Sequence, residues 1–130
     1  MNVLERVLYV EDDPDIQTVA KLALEVVGGL TVKVCSSGEQ ALAEAEAFAP
    51  DMILLDVMMP GMDGPSTLAA LRQRPALANV PVAFMTAKVQ PHEVEQLIAL
   101  GAESVIAKPF DPMTLAPQVR SLWEQACGKK

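Results

Sequence analysis

Five short apolar runs alternate with five segments that carry helix signals, and this alternation limits the chain to few folds. The runs are RVLYV (6–10), LTVKVC (30–35), DMILL (51–55), VPVAFM (80–85) and ESVIA (103–107). Runs of this length and composition, bounded by turn residues, read as strands. Between them, Asp13-Pro14 supplies an N-cap and a first-turn proline before Ile16, Val19, Ala23 and Val27 at helical spacing. Gly28-Gly29 stops that helix. Ser37 and Gln40 form a capping box ahead of Ala41, Leu42, Ala45 and Phe48. A short helix is predicted from Gly64 to Arg72, carrying Leu68 and Leu71. Pro91 opens the fourth helix, with Val94, Leu97 and Ile98 inward and Gly101 closing it. Asp111-Pro112 opens the last, with Leu115, Val119, Leu122 and Ala126 on one side.

Strict β-α alternation implies a doubly wound α/β fold: a five-stranded parallel sheet with five helices on its two faces and right-handed crossovers. The second run alternates, Val32 and Val34 against Thr31 and Lys33, and is expected at an edge. The first and third are apolar throughout and are expected to be central. That pattern fits the strand order 2-1-3-4-5. The 130 residues are expected to form one domain, 1–130, with a core of about 5–126 and a fraying tail at ACGKK. An apolar content of 51% supports a packed core and argues against disorder. No apolar run approaches the ~20 residues of a membrane span, and no signal peptide is visible at the N-terminus. A cytoplasmic protein is expected. The net charge of −7 disfavours nonspecific nucleic-acid binding. Cys35 and Cys127 are too few and too far apart for a disulfide framework or a zinc site; Cys35 reads as a small apolar side chain and Cys127 as part of a frayed end.

In sheets of this order ligands bind beyond the carboxyl ends of the strands, at the switch point between the first and third. The first run ends in Glu11-Asp12-Asp13 and the third in Asp56. The fourth ends in Thr86, and the fifth runs into Lys108. The predicted fold therefore gathers at least three carboxylates, a hydroxyl and an ammonium at one rim. Two carboxylates ~4 Å apart repel by about 4 kcal/mol at an effective dielectric of 20. One lysine cannot neutralise three of them. A hard divalent ion with oxygen ligands, most simply Mg²⁺, resolves the conflict and keeps open positions that suit a phosphoryl group. Asp56 could then attack phosphorus and form an acyl phosphate. Lys108, Thr86 and backbone N–H groups after Asp56 would bind the other phosphoryl oxygens.

With these residues in place, the chain resembles the receiver domains of two-component response regulators, particularly the stand-alone kind, on the flavodoxin-like fold. The resemblance runs through VLYVEDDPDIQ, PDMILLDVMMPGMDG, PVAFMTAK and GAESVIAKPFDP. Asp12, Asp56, Thr86 and Lys108 follow one another at separations of 44, 30 and 22 positions, which also fit. The resemblance implies that Asp56 is the phosphoacceptor, Asp12 a direct metal ligand, and Glu11 a residue acting on the metal largely through water. It implies a third metal contact from the backbone carbonyl of Met58. Thr86 becomes the switch hydroxyl, Lys108 the family's lysine, and the Lys108-Pro109 bond cis. Asp13, directly before Pro14, is assigned to capping the first helix. The family often has an aromatic residue three before the lysine; here Val105 stands there, which puts the usual output route in doubt.

The implied function is a Mg²⁺-dependent phosphorylation switch. A sensor histidine kinase or histidine phosphotransfer protein would donate to Asp56 and so bias a protein-binding surface. The protein is expected to act only on its own phosphorylation, as a monomer or weak dimer, with no direct nucleic-acid or membrane contact. With no output domain in the sequence, signalling is expected to pass by protein contact, although Lys130 need not be the natural end. The alternative is a small aspartyl-phosphate phosphatase or phosphotransferase of haloacid-dehalogenase type. Such enzymes usually carry a second aspartate two residues after the nucleophile, where this chain has Met58, and a cap domain. A flavin-binding module would want Ser, Thr and Gly after the first strand, not Glu11-Asp12-Asp13-Pro14. A receiver that only binds proteins is the remaining option, and the intact residue set argues against it. Met58, Met59 and Met62 suit either a partner patch or loop packing. His92 is expected to face solvent and Trp123 to pack.

Overall fold

Strands that are apolar on both faces need cover on both faces. In the computed structural model, which describes residues 3–128, they have it. The chain runs β1 (Arg6–Val10), α1 (Pro14–Leu22), β2 (Thr31–Cys35), α2 (Gly38–Phe48), β3 (Met52–Asp56), α3 (Gly64–Arg72), β4 (Val82–Thr86), α4 (Pro91–Ala99), β5 (Ser104–Ala107) and α5 (Leu115–Gly128). All pairings are parallel, and the sheet order is β2-β1-β3-β4-β5, with Val7 opposite both Val32 and Met52. β2 is an edge strand, and β1 and β3 lie inside the sheet, as their sequences imply.

Alternate residues of the strands feed two cores. Val7, Tyr9, Leu54 and Met85 pack on Ala20 and Leu24 of the first helical segment and on Leu115, Val119 and Trp123 of α5. Leu8, Val10, Ile53, Leu55 and Phe84 pack on Ala41 and Ala45 of α2 and on Leu68 and Leu71 of α3. Local capping fixes where the helices start. Asp13 accepts the Asp15 N–H at 2.9 Å and Asp63 accepts the Ser66 N–H at 2.8 Å. Ser37 caps α2 by accepting the Gln40 N–H at 3.0 Å, but Gln40 reaches back to the Ser36 N–H instead of Ser37, so the capping box is shifted by one residue.

Three helices depart from their sequence patterns. The turn after α1, Ala23–Val27, is a π-helix, with the Gly28 N–H bonding to Ala23 O. Its wider winding carries Val27 off the core face, and Ala20, Ala23 and Leu24 are buried while Val19, Val26 and Val27 are exposed. α4 buries no residue fully: Val94 and Leu97 are half-buried and Ile98 is exposed, because the helix packs chiefly against the edge strand β5. α5 begins at Leu115, after a turn closed by Asp111, whose carboxylate accepts the Met113 N–H at 2.8 Å. Cys127 is helical and half-buried against the α1/α5 core, not frayed; Lys129 and Lys130 lie outside the described residues. Cys35 is buried, and burial pushes its thiol up to about 11.

Gly28 is where the π-turn meets α5. A Cβ there would stand 2.5 Å from the Ala116 Cβ and 2.7 Å from Leu24 O. Arg120 of α5 also donates to Gly28 O. Gly28→Ala is expected to destabilise the fold by roughly 1–3 kcal/mol, the usual cost of overpacking. Urea denaturation measures this, and an unchanged midpoint would show that the contact yields.

Candidate functional site at the carboxyl rim

Ladder hydrogen bonds continue past the strand ends and hold the rim. The Glu11 N–H bonds to Cys35 O at 3.0 Å, the Val57 N–H to Met85 O at 3.2 Å, and the Lys108 N–H to Thr86 O at 2.9 Å. β1 thereby presents Glu11 and Asp12, β3 ends in Asp56, β4 in Thr86, and β5 leads into Lys108. Glu11, Asp12, Asp56, Met58, Thr86 and Lys108 line one cleft of about 300 Å³. Glu11, Asp56 and Thr86 are buried, and Asp12 is exposed.

The Lys108 ammonium donates to Glu11 Oε1 at 2.9 Å and to Asp56 Oδ1 at 3.0 Å. Burial alone would lower its pKa; the bonds to the two carboxylates outweigh burial and hold it above the ordinary lysine value. Glu11, Asp12 and Asp56 each offer an oxygen, and the three lie within 4.8 Å of one another. Against one lysine they leave two negative charges uncompensated. An oxygen-only donor set with that residual charge suits a hard divalent cation. Asp13 stands apart from the set, occupied as the cap of α1, although its N–H reaches Glu11 Oε2 at 3.3 Å.

The loop after Asp56 is packed tightly onto it. The Gly64 N–H bonds to Val57 O at 2.9 Å, and a Cβ on Gly64 would lie 2.4 Å from Asp56 O and 2.8 Å from Val57 Cα. Only glycine allows α3 to start this close to the aspartate. The methionines of this loop divide: Met58 is exposed beside the cleft, Met59 is buried in the α2/α3 core, and Met62 is half-buried against α2. Thr86 Oγ1 accepts the Lys88 N–H at 3.0 Å. The Lys108-Pro109 bond is cis, His92 is exposed, Trp123 is buried, and Val105 is half-buried on the α2/α3 side.

Two residues beside the cleft were not singled out from the sequence. Gln17 of α1 donates to Glu11 O and, at 3.1 Å, to Ser36 Oγ, tying α1 to the β1 and β2 ends. Tyr9 is fully buried, and its hydroxyl donates to Glu11 Oε1 at 3.4 Å. Its phenol pKa is raised by burial and then by the charges of Glu11 and Asp56. The period of two along a strand, which puts residues 9 and 11 on one face, is the signal that could have found it.

Residues 7–120 match the profile of the response regulator receiver domain. The chain belongs to this family. The receiver domain is 36% identical over 117 residues to the DNA-binding response regulator MtrA of Mycolicibacterium smegmatis, across 90% of this chain and 50% of the relative. It is 35% identical over 118 residues to the alkaline phosphatase synthesis transcriptional regulatory protein PhoP of Bacillus subtilis, across 91% of this chain and 48% of the relative. The chain thus spans about half the length of these curated relatives. Among solved structures it resembles the chemotaxis response regulator CheY4 of Vibrio cholerae, with a TM-score of 0.85 and 29% identity over 92% of this chain and 99% of that one. The receiver domain therefore has the five-stranded, five-helix fold of a two-component signalling module.

Without Lys108, Glu11 and Asp56 would face each other in a poorly hydrated cleft. Lys108→Met is expected to lower stability at pH 7, in the absence of divalent cations, by roughly 1–3 kcal/mol. Because the folded pKa of Lys108 lies above its ordinary value of 10.5, this contribution is fully present below that pH. It disappears as pH rises through the folded value. Urea midpoints of wild type and variant from pH 7 to 11.5 should stay apart up to about 10 and then converge; a constant gap would contradict the ion pairs.

Proposed function

We propose that this receiver domain takes a phosphoryl group onto Asp56 and that the change of charge there is its signal. The observation that carries the proposal is the convergence of Glu11, Asp12 and Asp56 within 4.8 Å, with Lys108 bonded to two of them. Asp56, aimed into the cleft and bonded to Lys108, is the nucleophile: its carboxylate oxygen attacks phosphorus as the bond from phosphorus to the donor's histidine nitrogen breaks. Lys108 would shift from the carboxylates to a phosphoryl oxygen. The Thr86 hydroxyl accepts from Lys88, which leaves its own proton to donate to a second phosphoryl oxygen. Mg²⁺ held by Asp12 and Asp56, with Glu11 behind them and the Met58 carbonyl beside them, would neutralise the charge that gathers in transfer.

The donor is a sensor histidine kinase or a histidine phosphotransfer protein. An apolar groove lined by Ile16, Val19, Pro109 and Phe110 adjoins Lys108 and gives a protein donor something to rest on. We assign the domain to signalling in the cytoplasm, as a monomer or weak dimer, with its only chemistry on its own aspartate. Its net charge of −7 argues against direct contact with nucleic acid. The single-domain reading, 1–130, rests on the two cores that share one sheet. A phosphatase of haloacid-dehalogenase type has less support, since Met58 occupies the place of a second carboxylate.

Acetyl phosphate with Mg²⁺ is expected to add one acid-labile phosphoryl group, visible as a single mass increment. EDTA or Asp56→Asn should abolish it. Undiminished labelling of Asp56→Asn would refute the assignment.

A further inference from the structure

Tyr9 raises a question that the phosphorylation chemistry does not answer. It sits in the α1/α5 core with no exposed surface, where a phenylalanine would fill the same space without a polar atom. A buried hydroxyl is costly unless it is bonded. Its bond goes to Glu11, two residues along the same strand face and itself buried. Glu11 Oε1 also receives Lys108 at 2.9 Å, and Oε2 receives the Asp13 N–H at 3.3 Å. Three donors from three directions therefore hold a side chain that has three rotatable torsions. Two of these donors have other work. Lys108 also serves Asp56, and Asp13 belongs to the loop that opens α1. Tyr9 alone is fixed by the core.

We infer that Tyr9 is a positioning residue for the metal site: its hydroxyl, anchored in the core, keeps the Glu11 carboxylate turned so that one oxygen stays within 4.8 Å of oxygens of Asp12 and Asp56. The inference rests on the reading of this cluster as a Mg²⁺ site. Partners behind metal-binding groups set their orientation, and losing one typically weakens metal binding 10–100-fold. At 3.4 Å the bond is long for O–H···O, which places the expected effect near the lower figure.

The test is Tyr9→Phe, which keeps the ring and removes the hydroxyl. Mg²⁺ is titrated into wild type, Tyr9→Phe, Asp12→Ala and Ile106→Val, with binding followed by calorimetry and by amide shifts at the rim. Thermal midpoints are recorded in EDTA. Ile106 belongs to the same core as Tyr9 and touches none of the carboxylates' hydrogen bonds, so its variant reports what loosened packing alone does. The expected result is an Mg²⁺ dissociation constant about tenfold higher for Tyr9→Phe, and wild-type affinity for Ile106→Val despite its lower thermal midpoint. A Tyr9→Phe affinity within about twofold of wild type would make Tyr9 a core filler and overturn the inference, while the loss in Asp12→Ala would leave the metal reading standing. Absence of saturable Mg²⁺ binding to wild type would overturn both. Tyr9 is the only tyrosine in the chain, so 3-fluorotyrosine labelling gives a single ¹⁹F signal if Tyr9→Phe fails to fold. That signal should move with the Mg²⁺ binding curve; a signal that stays fixed while the rim amides shift overturns the inference.

Discussion

The ammonium of Lys108 lies between two buried carboxylates, and their close approach at the rim depends on it. Glu11 comes from β1 and Asp56 from β3, and both are taken almost wholly out of water. Like charges so placed would drive the strand ends apart, or force one group to stay protonated. The lysine reaches them from β5, the far edge of the sheet, and so couples three strands that are not all neighbours. Burying this pairing is costly in itself. That cost buys a cluster that is still two charges short of neutral, with a third carboxylate, Asp12, facing solvent.

The sheet order makes the meeting possible. Because β3 crosses to the other side of β1 from β2, the chain leaves β1 and β3 toward opposite faces, and a cleft opens between their ends. α1 starts on one side under the Asp13 cap, and α3 starts on the other under the Asp63 cap. The residues that shape the rim are thus set by chain ends, caps and one glycine, Gly64, whose missing side chain lets α3 begin against the aspartate.

Much of this was legible in the sequence because the signals are local. Alternation, proline and cap positions specify strands and helix starts, and strand ends bring Glu11, Asp12, Asp56, Thr86 and Lys108 to one rim. The π-turn at Ala23–Val27 was not legible. No residue there favours i→i+5 bonding, and the winding goes with the tertiary contact of Gly28 on Ala116. The exposure of Ile98 in α4 escaped for a related reason. A helical apolar pattern identifies a preferred face but does not say whether the sheet extends far enough to cover it. Gln17 is not legible because its value lies in a bond to a backbone carbonyl, which no residue pattern advertises.

The two helices that follow Asp56 and Thr86 are unequally anchored. α3 buries Gly64, Thr67, Leu68 and Leu71, whereas α4 buries nothing fully. Stiffness follows anchorage, so a load placed between the two loops is not divided evenly. The firmly seated helix would resist such a load and the superficial one would give way to it, which gives the rim a built-in direction of yield.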